Sequence, residues 1–292
     1  MSIDTLPLLI EQDHPRVVTI RMEPTNSPDW RQSFLLRSDA HRDNLYNVWK
    51  LEKQHLDEAK QRGAGILDFG DAFCVMQGRF DKRLDYDQLR PELHVGAKKY
   101  LDSCVDFLAE SYTPYALNWC LMGLGNHEDS VLNRHQTSLH DRLAERLRAH
   151  KSQVKSGPFH GWVRFSFKFF TTHKCSYRLW YHHGYGGGGP VTNDVIQTNR
   201  QSVYLTNADF VVSGHTHDSF HLTRRRETLR DDGTPILHEM EFLKCPGYKC
   251  EYSSGKGWAN ARGAPPKPLG GHWLTFYREG AYIKYEIQRA KE

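Results

Sequence analysis

The sequence contains no C-x-x-C pair, and its six cysteines, at 74, 104, 120, 175, 245 and 250, are scattered along 292 residues. That dispersion argues against a thiolate-built zinc cage and against the disulfide framework of a small secreted domain, both of which need clustered thiols. Cys245 and Cys250 are the closest pair, and no second pair accompanies them to complete a zinc site. Reduced thiols in a cytoplasmic location are expected. No stretch approaches the ~18–20 consecutive apolar residues of a membrane helix. The apolar run at 6–10, set among Asp4, Glu11 and Asp13, is too short for a signal-peptide core. A soluble protein with no membrane partner follows. Net charge is also scarce: 39 Lys and Arg against 35 Asp and Glu leave +4, which does not by itself indicate a nucleic-acid partner. Repeats of fixed period and linkers rich in Pro, Gly or Ser are missing, so one domain spanning 1–292 is expected.

Histidine, by contrast, is plentiful, with 17 copies. Imidazole is both a transition-metal ligand and an acid or base near neutral pH. Short apolar runs at 33–37, 65–69, 115–122, 177–181 and 210–212 read as strands. Another aromatic-rich strand is expected at 161–171. Helical patterns lie at 42–62, 95–111, 138–150 and 192–206, the first stopped by Gly63. This is a βαβ rhythm. The charged segment 77–93 lacks a core period and reads as an insertion, and the sequence after Phe220 reads as strands closing a second sheet.

Five of these strands end in polar clusters: Asp39-Ala40-His41, Gly70-Asp71, Gly125-Asn126-His127-Glu128, His182-His183-Gly184 and Gly214-His215-Thr216-His217. Carboxylate, amide oxygen and imidazole form the mixed donor set that suits manganese, iron, zinc or cobalt, whereas magnesium and calcium favour all-oxygen shells. In an extended segment the i, i+2 pairs Asp39/His41 and His215/His217 would point the same way. Parallel strands would bring all five clusters to one sheet edge. The glycine run 186–189 has no Walker lysine and is not a nucleotide P-loop.

In the order D-x-H, G-D, G-N-H-E, H-G, G-H-x-H, the chain resembles the calcineurin-like metallophosphoesterase superfamily over residues 39–217. The 77–93 insertion and the glycine-rich block are similar to phage-type members. The resemblance implies an α/β fold, a four-layer αββα sandwich of two mixed sheets flanked by helices. It implies two divalent transition-metal ions (Mn2+, Fe2+/Fe3+, Zn2+ or Co2+): Asp39, His41 and His217 on one, Asn126, His183 and His215 on the other, and Asp71 bridging. His182 and His183 are both candidates, with His183 favoured because it precedes Gly184. His127 would be the acid for the leaving oxygen, ordered by a neighbour such as Asp39, which makes His127 and Asp39 the catalytic candidates. Where many members carry an acidic or amide residue three positions after the bridging aspartate, this chain has Cys74.

The implied activity is hydrolysis of phosphate esters by attack of a metal-bridging hydroxide, with a phosphodiester, nucleotide or nucleic acid, preferred as substrate. A catalytically silent scaffold with the same fold and a nuclease subunit acting with a partner are the competing readings. Arg224-Arg225-Arg226 reads either as a phosphate contact or as a solvated face. Trp162, Phe165, Phe167, Phe169 and Phe170 read as core residues before a base-stacking platform.

Overall fold

The computed structural model describes residues 7–75, 88–94, 99–169, 173–187, 189, 191–192, 194–252, 260 and 263–291. The chain opens with a hairpin, β1 (Leu9–His14) and β2 (Val17–Met22). Then come β3 (Arg31–Arg37), α1 (Trp49–Arg62), β4 (Gly65–Asp68), α2 (Tyr100–Tyr112) and β5 (Trp119–Met122). Next are α3 (Asn126–His135), α4 (Leu139–Arg148), the short β6 (Lys155–Ser156), β7 (His160–Phe169) and β8 (His173–His182). α5 (Val195–Tyr204), β9 (Phe210–Ser213), β10 (Phe220–Leu229), β11 (Pro235–Lys244), β12 (Gly271–Glu279) and β13 (Tyr282–Ala290) complete it. No helix among the described residues is long and apolar enough to cross a membrane.

These strands form two mixed sheets, one ordered β1-β2-β7-β8-β9-β11-β10 and the other β13-β12-β3-β4-β5-β6. Side chains alternate across each strand, and that period of two builds the layers. Phe34, Leu36 and Leu67 of the six-stranded sheet meet Val163, Phe165, Phe167, Leu179, Phe210 and Val212 of the seven-stranded sheet in one apolar core. Phe276 is its aromatic hub, with ring centroids 4.9 Å from Phe165, 5.0 Å from Phe167 and 5.3 Å from Tyr177. The opposite-facing Leu35, Ile66 and Trp119 pack under residues of α1, α2 and α4, such as Leu56, Leu108 and Leu143. Trp180, Val211 and Phe242 form a smaller cluster on the outer face of the seven-stranded sheet, with Leu205 at the end of α5. The αββα layering is therefore present, with one thick helical layer and one thin.

Several boundaries differ from expectation for local reasons. Residues Thr113–Asn118 form a 3-10 turn begun by a proline, and the Asn118 amide donates to the carbonyls of Ala59 and Ala64, so the third strand starts only at Trp119. The first long helix starts at Trp49 because the preceding residues are tied elsewhere: the Asn47 amide donates to Ala40 and the Val48 N–H to Tyr248. Gly63 does end it, in the left-handed conformation at φ 60°. The strand expected at 177–181 begins at His173 and pairs antiparallel with β7 along its whole length. The tail after Phe220 does not close a single sheet. β10 and β11 extend one sheet beside β9, whereas β12 and β13 flank β3 in the other. Residues 77–87 of the expected insertion and 95–98 of the expected helix lie outside the described residues, as do Phe170 and Thr171.

Candidate metal centre

β3, β4 and β5 run parallel, as do β8 and β9, so the loops that follow them gather along one edge of the sandwich. The six-stranded sheet delivers Asp39, His41, Asp71, Asn126 and His127, and the seven-stranded sheet delivers His183, His215 and His217. Ligand atoms of Asp39, His41 and His217 lie within 4.8 Å of one another, and so do those of Asp71, His183 and His215. His217 Nε2 is 3.4 Å from Asp39 Oδ1 and 3.3 Å from His41 Nε2. His183 Nε2 is 3.2 Å from Asp71 Oδ2. Asn126 Oδ1 sits 3.0 Å from His183 Nε2 and 2.8 Å from His215 Nδ1.

The i, i+2 pairs reach the centre by a different route from the extended one expected. Asp39, His41, Asp71, His215 and His217 all have left-handed backbone, with φ between 44° and 74°, and supply five of the nine such non-glycine residues among those described. Each conformation costs on the order of 1–3 kcal/mol, and the surrounding bonds hold it. The Asp39 and His41 N–H groups donate to the carbonyls of Gly70 and Asp71 at 2.9 and 3.0 Å. The His215 N–H donates to Asp39 Oδ2 at 2.7 Å. Two motif glycines are required by close approach: a Cβ on Gly125 would lie 2.1 Å from Asp71 Oδ1, and one on Gly214 2.4 Å from Asp39 Oδ2.

Histidine tautomers follow from their second nitrogens. His183 Nδ1 donates to Phe69 O at 3.0 Å, and His215 Nε2 donates to Gly186 O at 3.0 Å. Each spends its N–H on a backbone carbonyl and turns the remaining lone pair toward the Asn126 oxygen, an arrangement typical of metal-ligating imidazoles. Acceptors then face acceptors at about hydrogen-bond distance, which needs a positive charge between them. Asp39 Oδ1 and His41 Nδ1, both buried, have no hydrogen-bond partner among the described residues. This donor set fits divalent transition-metal cations.

The electrostatics carry the same demand. Burial opposes ionisation of Asp39, but the neighbouring His217 imidazole and the charge of His183 outweigh it and hold the carboxyl well below its ordinary range. Burial likewise opposes ionisation of Asp71, and His183 and His127 reverse the balance. With no cation in place His183 carries the charge itself: burial disfavours it, yet Asp71 pushes its pKa up to about 10, so a second proton takes the position that a cation would fill. For His41, burial and then repulsion from His127 pull the pKa well down.

His127 lies on the first turn of α3, its N–H donating to Asp71 Oδ1 at 2.9 Å and its Nε2 3.7 Å from Asp71 Oδ2. Its Nδ1 is 2.5 Å from the Cys74 carbonyl, so these contacts are with Asp71 and Cys74 rather than with the orienting neighbour expected, Asp39. His183 is fully buried in the centre, whereas His182 stacks on His160 and accepts the Gly184 N–H at Nδ1.

Other residues have roles that their place in the sequence did not spell out. Glu128 receives the N–H groups of Asp71, Phe73 and Gly125 at 3.2, 2.9 and 3.1 Å, binding two ligand loops together. Asp43 accepts the Cys74 and Val75 N–H groups. Lys249, only 9% exposed, pairs with Glu251 and sits 4.0 Å from Cys74 Sγ. Arg224, Arg225 and Arg226 are engaged with Asn199, Glu239 and the Leu205 carbonyl.

No protein-family model matches the chain, and no curated protein matches it. Among solved structures it is similar to a conserved predicted phosphoesterase from Streptococcus pneumoniae TIGR4, at 10% identity and a TM-score of 0.33, covering 89% of this chain and 91% of that one. It is also similar to Vacuolar Protein Sorting 29 from Cryptosporidium parvum, at 11% identity and a TM-score of 0.36, covering 90% of this chain and 100% of that one.

Proposed function

We propose that the chain is a binuclear metal-dependent phosphoesterase that hydrolyses phosphate esters, preferring phosphodiesters of the nucleotide or nucleic-acid class. The observation that carries this reading is the pair of three-residue ligand groups, Asp39/His41/His217 and Asp71/His183/His215, whose loops are tied to each other by the His215 N–H on Asp39 Oδ2 and the His41 N–H on the Asp71 carbonyl. Two divalent cations of the manganese, iron, zinc or cobalt type would neutralise charge on a phosphoryl group and lower the pKa of water. Asp71, between the two groups, is the bridging candidate, and Asn126 completes the second. His127, whose side chain is 12% exposed beside Asp71, is the group that passes a proton to the leaving oxygen from Nε2. A small polar cleft beside His183 is lined by Gly184, Ser213, Thr198, Gln201 and the buried pair Lys244 and Asp194.

Metal-loaded protein should hydrolyse bis-p-nitrophenyl phosphate, and Asp71→Asn should lose both turnover and bound metal. Running cyclic nucleotides, DNA and phosphomonoesters in parallel tests the diester preference. Two metals per chain with no turnover of any ester would replace the enzyme with a binding scaffold.

A further inference from the structure

We propose that Cys74, with His41 and His127, forms a second kind of cation seat, selective for thiophilic ions such as zinc or cadmium, that overlaps the phosphoesterase centre. The three offer sulfur and nitrogen atoms within 4.8 Å of one another. Cys74 and His41 are each 2% exposed, and His41 Nδ1 has no hydrogen-bond partner among the described residues. The Asn44 amide donates to the sulfur at 3.2 Å and the Lys249 ammonium stands 4.0 Å away, but burial keeps the sulfur a thiol until an ion displaces the proton. The contact between His127 Nδ1 and the Cys74 carbonyl fixes that imidazole beside the same residue.

Ligand softness separates this seat from the centre beside it. Asp39 and Asp71 bring carboxylate oxygen to the other two groups, which suits manganese, whereas a thiolate with two imidazoles favours zinc, cadmium or cobalt. As the metal–sulfur bond forms, the Cys74 thiol releases its proton to solvent. His41 belongs to both arrangements, and two cations on one imidazole repel each other, so an ion on Cys74 competes with the one held with Asp39 and His217. It also occupies the imidazole of His127. This consequence rests on the phosphoesterase reading: micromolar zinc would inhibit the manganese-loaded enzyme.

Cobalt titration of the full chain tests the seat without reference to turnover. A near-ultraviolet sulfur-to-cobalt charge-transfer band is expected in the wild type and in Cys250→Ser, and it should vanish in Cys74→Ser while visible cobalt bands persist. Cadmium NMR on the wild type, which needs no variant, should show a resonance shifted by one sulfur ligand. A missing charge-transfer band at saturating cobalt, its survival in Cys74→Ser, or a cadmium resonance typical of oxygen and nitrogen ligands alone would overturn the proposal. Failure of ester hydrolysis with the band present would instead count against the phosphoesterase reading.

Discussion

His127 touches the candidate centre through Asp71 yet lies outside both of the carboxylate-bearing ligand groups, so its removal should separate chemistry from metal binding. His127→Ala is expected to slow diester hydrolysis by roughly 10²- to 10⁴-fold. Manganese content, measured by plasma mass spectrometry, should stay near that of the wild type, and an equal loss of both would make His127 a ligand. At this scale the residue types were legible: spaced Asp, Asn and His after apolar runs mark a candidate cation site because few other arrangements place such donors at strand ends. Their backbone was not. Asp39, His41, His215 and His217 converge through left-handed turns, which side-chain patterning does not encode. Lys249 was invisible for a related reason, since a lone lysine acquires meaning only from what the fold packs against it, and Glu128 was named within its motif without the loop-tying role that the fold gives it.

Among the elements, the ligand loops stand on a buried ionic network. Arg37, fully buried at the end of β3, donates to Asp68 at 2.8 Å and to Glu52 of α1 at 2.9 Å. Tyr112 of α2 also donates to Glu52, and Asp68 Oδ1 accepts the Gly70 N–H at the root of the next loop. Removing the cation would strand two buried carboxylates, so Arg37→Ala should cost about 3–5 kcal/mol, read as a lower urea midpoint. A loss below about 1 kcal/mol would mean the network is solvated in solution. Element order was largely readable from apolar runs and Gly63, but strand partners were not. The parallel pairing of β2 with β7 and the division of the tail between two sheets are long-range choices. The β1–β2 hairpin was overlooked, although the β-branched residues of Val17–Met22 were a usable signal.

For the whole molecule, each carboxylate-bearing ligand group takes residues from both sheets, so bound cations would join the two layers. Ligands that bind only the folded state stabilise it by mass action, about 2.7 kcal/mol at roughly 100-fold excess over the dissociation constant. Chelator treatment should therefore lower the unfolding temperature of metal-loaded protein in scanning calorimetry, and an unchanged transition would place the cations elsewhere. Acid should weaken the fold through a different group. Burial pulls the pKa of His272, whose Nε2 bonds the Lys244 carbonyl at 2.9 Å, down to about 4. The unfolded chain takes up that proton near pH 6.5, so the stability is full above 6.5, declines as pH falls toward 4 and levels off below. The contribution is on the order of 3 kcal/mol. His272→Gln should flatten urea-midpoint profiles between those two pH values, and a slope equal to that of the wild type would assign the loss to other groups.

The aromatic hub around Phe276 acquires a role at a distance from this arrangement. Its rings fill the gap between the layers, and a close-packed interior transmits changes in thickness instead of absorbing them. The jaws that would grip a phosphate are thus set like those of a caliper, by the width of the hydrocarbon held between the arms, and alterations deep in that filling would detune grip strength with every ligand intact.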